Sequence, residues 1–470
     1  MKVQLIIPPI SKEFYPVSRS SFFPPLGLLS IATYLKTQLP EINVEILDGN
    51  ILPQKSIEAR INGDFVGISP TILSYENGLR IARISKERGA VVVFGGFYAT
   101  ALGEKILRNR EYLDFIVIGD GEIAFSKLVQ GEFFASIDNL IYRDGEDIKR
   151  TNQRLLNLDS LPFVNHGLLD ERIYAINFQK KYAKEQFKIP NIIYSQKDCM
   201  WSTKTGGCVF CGRIDRDWRG RTPKRVWEEI LLLNRQYKTD YVWDVSGSFV
   251  GNRDWLKEFY FSRPKNIPVV FEIYARASEI NQETAKMLHE LNCYKVFIGI
   301  DSGDPITLKS ARKGSSVKKN IQAVELLNKY GICLALGFVV GLPGETYQTI
   351  KNTYEHANLL CTLANVETIS CSSLIPIPGS KSFDMMLKHP YLPLKYKSQD
   401  VFNVLEMECD WTNNFCHIDY ETASHYINKI LSLAPVKSSM GKINRKVEST
   451  DCFDNQEILD CHYTESVLQT

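Results

Sequence analysis

YKVFIGID, residues 294–301, and LALGFVVG, residues 334–341, are the stretches on which the fold turns. Both are near-continuous apolar runs rich in β-branched and aromatic residues, and each ends in glycine or an acid, so both read as strands. Between them, Lys318–Tyr330 places apolar residues at helical spacing. Strands buried on both faces and joined by helices belong to parallel sheets. Working outward, the unit recurs as NIIYSQ (191–196), a helix near Arg225–Gln236, YVWDVS (241–246), VVFEIYAR (269–276) and a helix near Gln282–Leu291. It continues past LALGFVVG with a helix near Tyr347–Leu360 and TISCSSLIPIP (368–378). Six strands, each but the last followed by a crossover-length segment, predict a partial (β/α)6 barrel of the TIM type, with active residues at the strand carboxyl ends.

The N-terminal 150 residues show a second alternating series. VQLIIPP, NVEILD, DFVGIS, AVVVFGG and DFIVIGDGE are strand-like, and PLGLLSIATYLK and Tyr75–Arg88 are helix-like. This predicts a Rossmann-like, doubly wound parallel sheet closed by a hairpin at Asp144-Gly145. Ligands of such sheets bind beyond the strand carboxyl ends. The candidate residues there are Pro8, Asp48, Gly49, Ser69, Thr71, Gly95, Gly96, Gly119, Gly121 and Glu122. Residues 151–190 lack a clean period and read as linker, 191–380 as the barrel, and 381–470 as a mainly helical extension that caps it. The last stretch of that extension, about 35 residues, is polar. The fold class is therefore α/β throughout, with a helical C-terminal addition.

The chain of 470 residues is 44% apolar and 23% charged with a net charge of +2, an ordinary globular composition. Neither a nucleic-acid partner nor an anionic membrane surface is expected, because both call for clustered Lys and Arg. The start of the chain lacks a signal-peptide pattern, and no uncharged apolar run reaches ~18 residues, so a cytoplasmic protein is expected. Eleven cysteines in that compartment are not a disulfide framework.

Three of them have chemically meaningful spacing. Cys199, Cys208 and Cys211 lie in DCMWSTKTGGCVFCG, directly after the first barrel strand. Three thiolates near one another suit zinc or an iron–sulfur cluster. A closed zinc site wants a fourth Cys or His, yet the next His is His289. A four-iron cluster on three cysteines leaves one iron open for a ligand. Three unrelated core cysteines are the plain alternative, and Cys293 and Cys333, both within core-like segments, are rivals for the third ligand.

With the motifs that follow these cysteines, residues 1 to about 380 resemble the cobalamin-dependent radical S-adenosylmethionine enzymes. The resemblance implies that Cys199, Cys208 and Cys211 bind a [4Fe-4S] cluster whose open iron chelates S-adenosylmethionine. DVSGSF, with Ser246 and Gly247, falls where the family contacts the methionine amino group. Arg276 ends the third strand, Asp301 and Ser302 the fourth, and GFVVGLPGET, with Gly337 and Gly341, matches the family's glycine-rich fifth strand. Phe210 suits stacking on the adenine. Two departures stand out: eight residues separate Cys199 from Cys208 where the family usually has three, and Asp301 replaces the commoner Glu.

The strand-end glycines of the first series, with PPLGLLSIATYL (24–35), resemble the family's cobalamin-binding domain, where a flat corrin calls for backbone approach. The loop Pro8–Pro25 contains no His, and His166 is the nearest, so cobalamin without a His ligand to cobalt is expected. The family implies reductive cleavage of S-adenosylmethionine to a 5′-deoxyadenosyl radical and methylation of an unactivated carbon in a small molecule or peptide, with flavodoxin or ferredoxin as electron donor. Two alternatives stand beside it: a non-methylating cobalamin-dependent rearrangement, cyclisation or oxidation, and a cofactor-binding sensor. In the C-terminal region Trp411, Cys416, His417 and His425 are residue types that can act on substrates, and helix packing is the plainer role for each.

Overall fold

Seven strands build the first sheet of the computed structural model, which describes residues 1–10, 19–181, 187–212 and 217–434. They are β1 (Lys2–Ile7), β2 (Asn43–Asp48), β3 (Phe65–Ile68), β4 (Val91–Phe94), β5 (Phe115–Val117), β6 (Leu140–Asp144) and β7 (Asp147–Arg150). Their order is β2-β1-β3-β4-β5-β6-β7, parallel through β5 and antiparallel in the final hairpin. The alternating side chains explain the continuous apolar runs. Val3, Leu5 and Val93 pack against helices Leu26–Gln38 and Glu122–Val129, while Ile6, Val92 and Phe94 pack the other way, against Tyr75–Glu87 and Gly96–Asn109. The chain goes from β1 to β2 on one side and to β3 on the other, so the switch point where such sheets bind ligands lies beyond β1 and β3.

The second sheet holds β8 (Pro190–Ile193), β11 (Tyr241–Asp244), β12 (Val270–Arg276), β13 (Cys293–Asp301), β14 (Cys333–Val340) and β15 (Val366–Ser373), with β9 (Gln196–Lys197) and β10 (Arg219–Gly220) forming a separate antiparallel ribbon. The six strands are parallel in the order β15-β14-β13-β12-β11-β8, and β8 and β15 are not paired, so the barrel is partial. Helices Pro223–Tyr237, Gln282–Glu290, Val317–Lys329 and Tyr347–Leu363 fall where periodicity places them. Helix Arg253–Phe261, the crossover from β11 to β12, is an addition to the expected helices; it buries Trp255, Leu256 and Phe259. The run read as one strand over 191–196 ends at Ile193. Gln196 instead joins Lys197 in the ribbon opposite Arg219-Gly220.

The segment read as linker packs closely. Helix Arg172–Lys181 buries Phe178, and the hydroxyl of buried Tyr174 donates to Asp48 Oδ2 at 2.7 Å. The C-terminal extension also does more than cap the barrel. One continuous apolar cluster runs from Ile6, Phe94 and Tyr98 of the first sheet through Phe383, Tyr396 and Phe402 to Trp411 and Leu342. A polar clasp reinforces it: Asp400 accepts from Tyr75 Oη at 2.7 Å and from Arg110 Nε and Nη2 at 2.9 Å each, while Tyr98 donates to its main-chain oxygen at 2.7 Å. Residues 11–18 of the loop after β1 and residues 435–470 of the tail lie outside the described residues.

Removing one member of a buried, charge-assisted cluster leaves its partners unsatisfied. Asp400→Ala is therefore expected to lower stability by about 2–4 kcal/mol, read as a shift of the urea midpoint. An unchanged midpoint would show that the apolar cluster alone holds the extension.

Candidate functional site

The carboxyl ends of both sheets meet around an apolar cleft of about 500 Å3. Pro8, Ser69, Thr71, Gly95, Gly96, Gly119, Gly121 and Glu122, all expected at this place, line it. So do Asn50, Phe97 and Asp120, and Tyr194, Lys197, Asp198 and Trp243 from the barrel side. Asp48 and Gly49 do not line it, which corrects the reading of the second strand's end. Asp48 is buried and held by Tyr174 and Asn50. A Cβ at Gly49 would stand 2.3–2.6 Å from main-chain atoms of Ile7, Pro8 and Pro9, so this glycine lets two turns of the protein touch rather than admitting a ligand. Gly95 differs: its nearest neighbour would be Val117 O at 3.7 Å, leaving its open side to the cleft. His166 is buried elsewhere, its Nδ1 paired with Glu171 Oε1 at 2.6 Å.

Across the cleft wall lies the cysteine loop. The eight residues between Cys199 and Cys208 form helix Met200–Thr205, ended by Gly206 and Gly207, both at φ +75°, a left-handed stop that glycine adopts without cost. The helix takes up the extra length and returns the chain. Cys199 and Cys208 are buried and Cys211 is half-buried. Burial pushes the thiols of Cys199 and Cys208 up, and the Arg276 guanidinium opposes this at both, donating to Cys208 Sγ at 3.7 Å. Among the described residues no three Cys, His, Asp or Glu side chains converge as they would on a single ion. Thiolates on one zinc share bonds of about 2.3 Å to a common centre, whereas a four-iron cluster takes each cysteine on a separate iron.

Arg276 and Asp301 come to this loop as expected, but a third ion, Lys313, joins them. It is 6% exposed, its Nζ lies 2.6 Å from Asp301 Oδ2, and its main-chain oxygen accepts from Arg276. Asp301 sits at φ +61° beside a register shift in β13, an uncommon backbone state for a residue other than glycine. The segment around Lys313 also braces the cysteines: Val209 N donates to Ala311 O at 3.0 Å and Trp201 Nε1 to Arg312 O at 3.0 Å.

The other expected residues divide. Ser246 Oγ accepts from Gln196 N at 2.9 Å, which joins β11 to the ribbon, and Gly247 is half-buried beside it. Ser302 is turned away to Thr353 Oγ1 at 2.9 Å. Phe210 packs against the apolar cluster shared with the C-terminal helices. Gly337 makes room for the Phe297 ring, which would stand 2.6 Å from a Cβ there. Gly341, at φ +80°, accepts from Trp411 Nε1 at 2.7 Å and donates to buried Glu345. Trp411 thus has a structural partner, and so does Cys416, whose thiol donates to Leu342 O at 3.4 Å and is pushed up by burial to about 12.

Residues 205–357 match the family described as Radical SAM superfamily, and residues 16–129 that described as B12 binding domain; Cys199 lies outside the matched segment. Similar proteins include an uncharacterized methyltransferase of Pyrococcus horikoshii, 25% identical over 83% of this chain and 84% of that one. An anaerobic magnesium-protoporphyrin IX monomethyl ester cyclase of Rubrivivax gelatinosus is 27% identical over 71% of this chain and 62% of its own, and a hopanoid C-2 methylase of Rhodopseudomonas palustris 24% over 74% and 63%. The chain thus spans less than two thirds of the last two. Among solved structures, the cobalamin-dependent S-adenosylmethionine radical enzyme OxsB aligns with a TM-score of 0.64 at 18% identity, over 90% of this chain and 65% of that one. The radical S-adenosylmethionine methyltransferase TsrM of Kitasatospora setae aligns with 0.64 at 18%, over 82% and 78%. At such identities the likeness is one of fold.

Burial pushes the Glu345 carboxyl up to about 8, against the opposing N–H groups of Gly341 and Leu342. A value raised above that of the unfolded chain means that the fold holds this proton. Stability should then fall as pH rises from the ordinary carboxyl range toward 8, by up to about 1.4 kcal/mol per pH unit. Glu345→Gln is expected to flatten that slope. Urea midpoints across the range check it, and equal slopes in both proteins would mean that Glu345 is ionised in the fold.

Proposed function

The chain belongs with the cobalamin-dependent radical S-adenosylmethionine enzymes, since it joins a B12-binding segment to a radical S-adenosylmethionine segment on their shared fold, and from that premise we propose that it methylates a carbon atom of a small organic molecule. One observation carries this reading. The cleft of the first sheet and the cysteine loop share a wall: Lys197 and Asp198 line the cleft and lead directly into Cys199, and Phe97 of the cleft would lie 2.6 Å from a Cβ at Gly212, next to Cys211. Two cofactors placed in these two sites face a common substrate space.

Cys199, Cys208 and Cys211 hold the cluster, and Arg276, Asp301 and Lys313 bind the charged end of S-adenosylmethionine beside it. The apolar cleft takes the corrin, with Gly95 admitting its edge. When bound, the cluster supplies the electron that cleaves S-adenosylmethionine, and cobalamin carries the methyl group. The protein's part is to orient both and exclude water. Buried Arg276 does so while offsetting the negative charge that thiolates bring into a dry site. A low-potential protein of the ferredoxin or flavodoxin type supplies the electron. Among the described residues no helix is long and apolar enough to cross a membrane.

With S-adenosylmethionine labelled in its methyl group, the anaerobically reconstituted protein is expected to yield a substrate product heavier by one labelled CH2 unit, measured by mass spectrometry against a panel of metabolites. Accumulation of 5′-deoxyadenosine with no labelled product would overturn methyl transfer. It would favour the second reading, radical ring formation, which draws on the cyclase among the similar proteins.

A further inference from the structure

Lys197 and Arg219 stand directly opposite one another in the β9–β10 ribbon. Like charges so placed in an antiparallel pair repel, and the bonds that tie the ribbon to the barrel run through Gln196 rather than through this pair. The repulsion is answered from the other sheet. Asp120, in the turn after β5, places Oδ1 2.6 Å from Lys197 Nζ and Oδ2 2.6 Å from Arg219 Nη1. Its side chain is 2% exposed. Asp120 Oδ2 also accepts from Leu156 N at 3.0 Å, Arg219 Nη1 donates to Leu156 O at 2.8 Å, and Asn139 donates to Asp120 O at 3.0 Å.

The ribbon is the neck of the cysteine loop: residues 198–218, with all three cysteines, lie between its two arms. Asp120 is flanked by Gly119 and Gly121 and lines the cleft with them. From Lys197 the chain passes through Asp198, whose Oδ1 accepts from Cys199 N at 2.7 Å. An ion cluster around a buried carboxylate is a poor device for stability alone, since apolar side chains of like volume often serve as well; its best-attested use is to specify one arrangement over others.

We infer that Asp120, Lys197 and Arg219 form a latch that sets the cysteine loop at a fixed place relative to the cleft, making all three positioning residues that keep radical formation and group transfer in step. The coupling half of this inference rests on the proposed function, but the latch itself does not.

Hydrogen–deuterium exchange on the protein as isolated tests the latch. Asp120→Asn is expected to speed amide exchange across residues 196–212 and 217–220 about tenfold relative to the unaltered protein, with β11–β15 unchanged. Lys197→Met should do the same and Lys197→Arg should restore slow exchange, which separates charge from packing. In the reconstituted enzyme, methylated product per 5′-deoxyadenosine, taken per bound cobalamin, should fall about tenfold in Asp120→Asn and Lys197→Met. Exchange equal to that of the unaltered protein in both variants would overturn the latch. Faster exchange with an unchanged product ratio would overturn the coupling. Failure of the unaltered protein to take up either cofactor would overturn the proposed function and leave the exchange result to decide the latch.

Discussion

Two parallel sheets can serve one reaction only if their carboxyl ends face each other, and the Asp120 carboxylate lies where they do. It is drawn in opposite directions: burial raises its pKa, while the Lys197 ammonium and the Arg219 guanidinium hold it down at about 2. Lys197 shows the converse, burial working against its charge while Glu122 and then Asp120 keep it protonated. The charges therefore persist across the physiological range, and the Asp120 carboxylate, itself out of water, would be left uncompensated if its two cations moved away. The latch we infer ties the ribbon, and through it the cysteine loop, to the rim of the cleft at this point.

The other side of the molecule is closed by different means. There the extension after β15 runs back over the first sheet, with Asp400 clasped by Tyr75 and Arg110, and over the barrel, with Trp411 bonded to Gly341. Polar bonds fix the register and the apolar cluster beneath supplies the bulk of the burial. The two sheets are thus joined by ions at the cleft and by a packed strap along the extension.

The fold was legible because its signals are local. YKVFIGID and LALGFVVG are buried on both faces and announce a parallel sheet, and the helices between them keep a clean period. The cleft was largely legible for the same reason, since its residues follow strands. What failed was local as well. Gly49 and Asp48 end a strand as Gly95 does, but nothing in sequence says that Gly49 lies against Pro8 and Pro9 while Gly95 faces open space. The charged residues of the site were hidden by distance. Asp120 meets Lys197 across 77 residues and Arg219 across 99, and Lys313, in an unremarkable ARKG, meets Asp301 where β13 ends in a left-handed residue.

The enlarged cysteine loop, the feature least like the resembled family, has a simple physical resolution: a six-residue helix and a pair of left-handed glycines return the chain so that Cys199 shares the Arg276 guanidinium with Cys208. The central claim is that these three thiolates carry a four-iron cluster with one iron left open. Electron paramagnetic resonance of the anaerobically reconstituted, dithionite-reduced protein tests it most directly. The account predicts the signal of a single [4Fe-4S] cluster that changes shape when S-adenosylmethionine is added and is lost in Cys199→Ala. A signal indifferent to S-adenosylmethionine, or one that survives intact in Cys199→Ala, would contradict it.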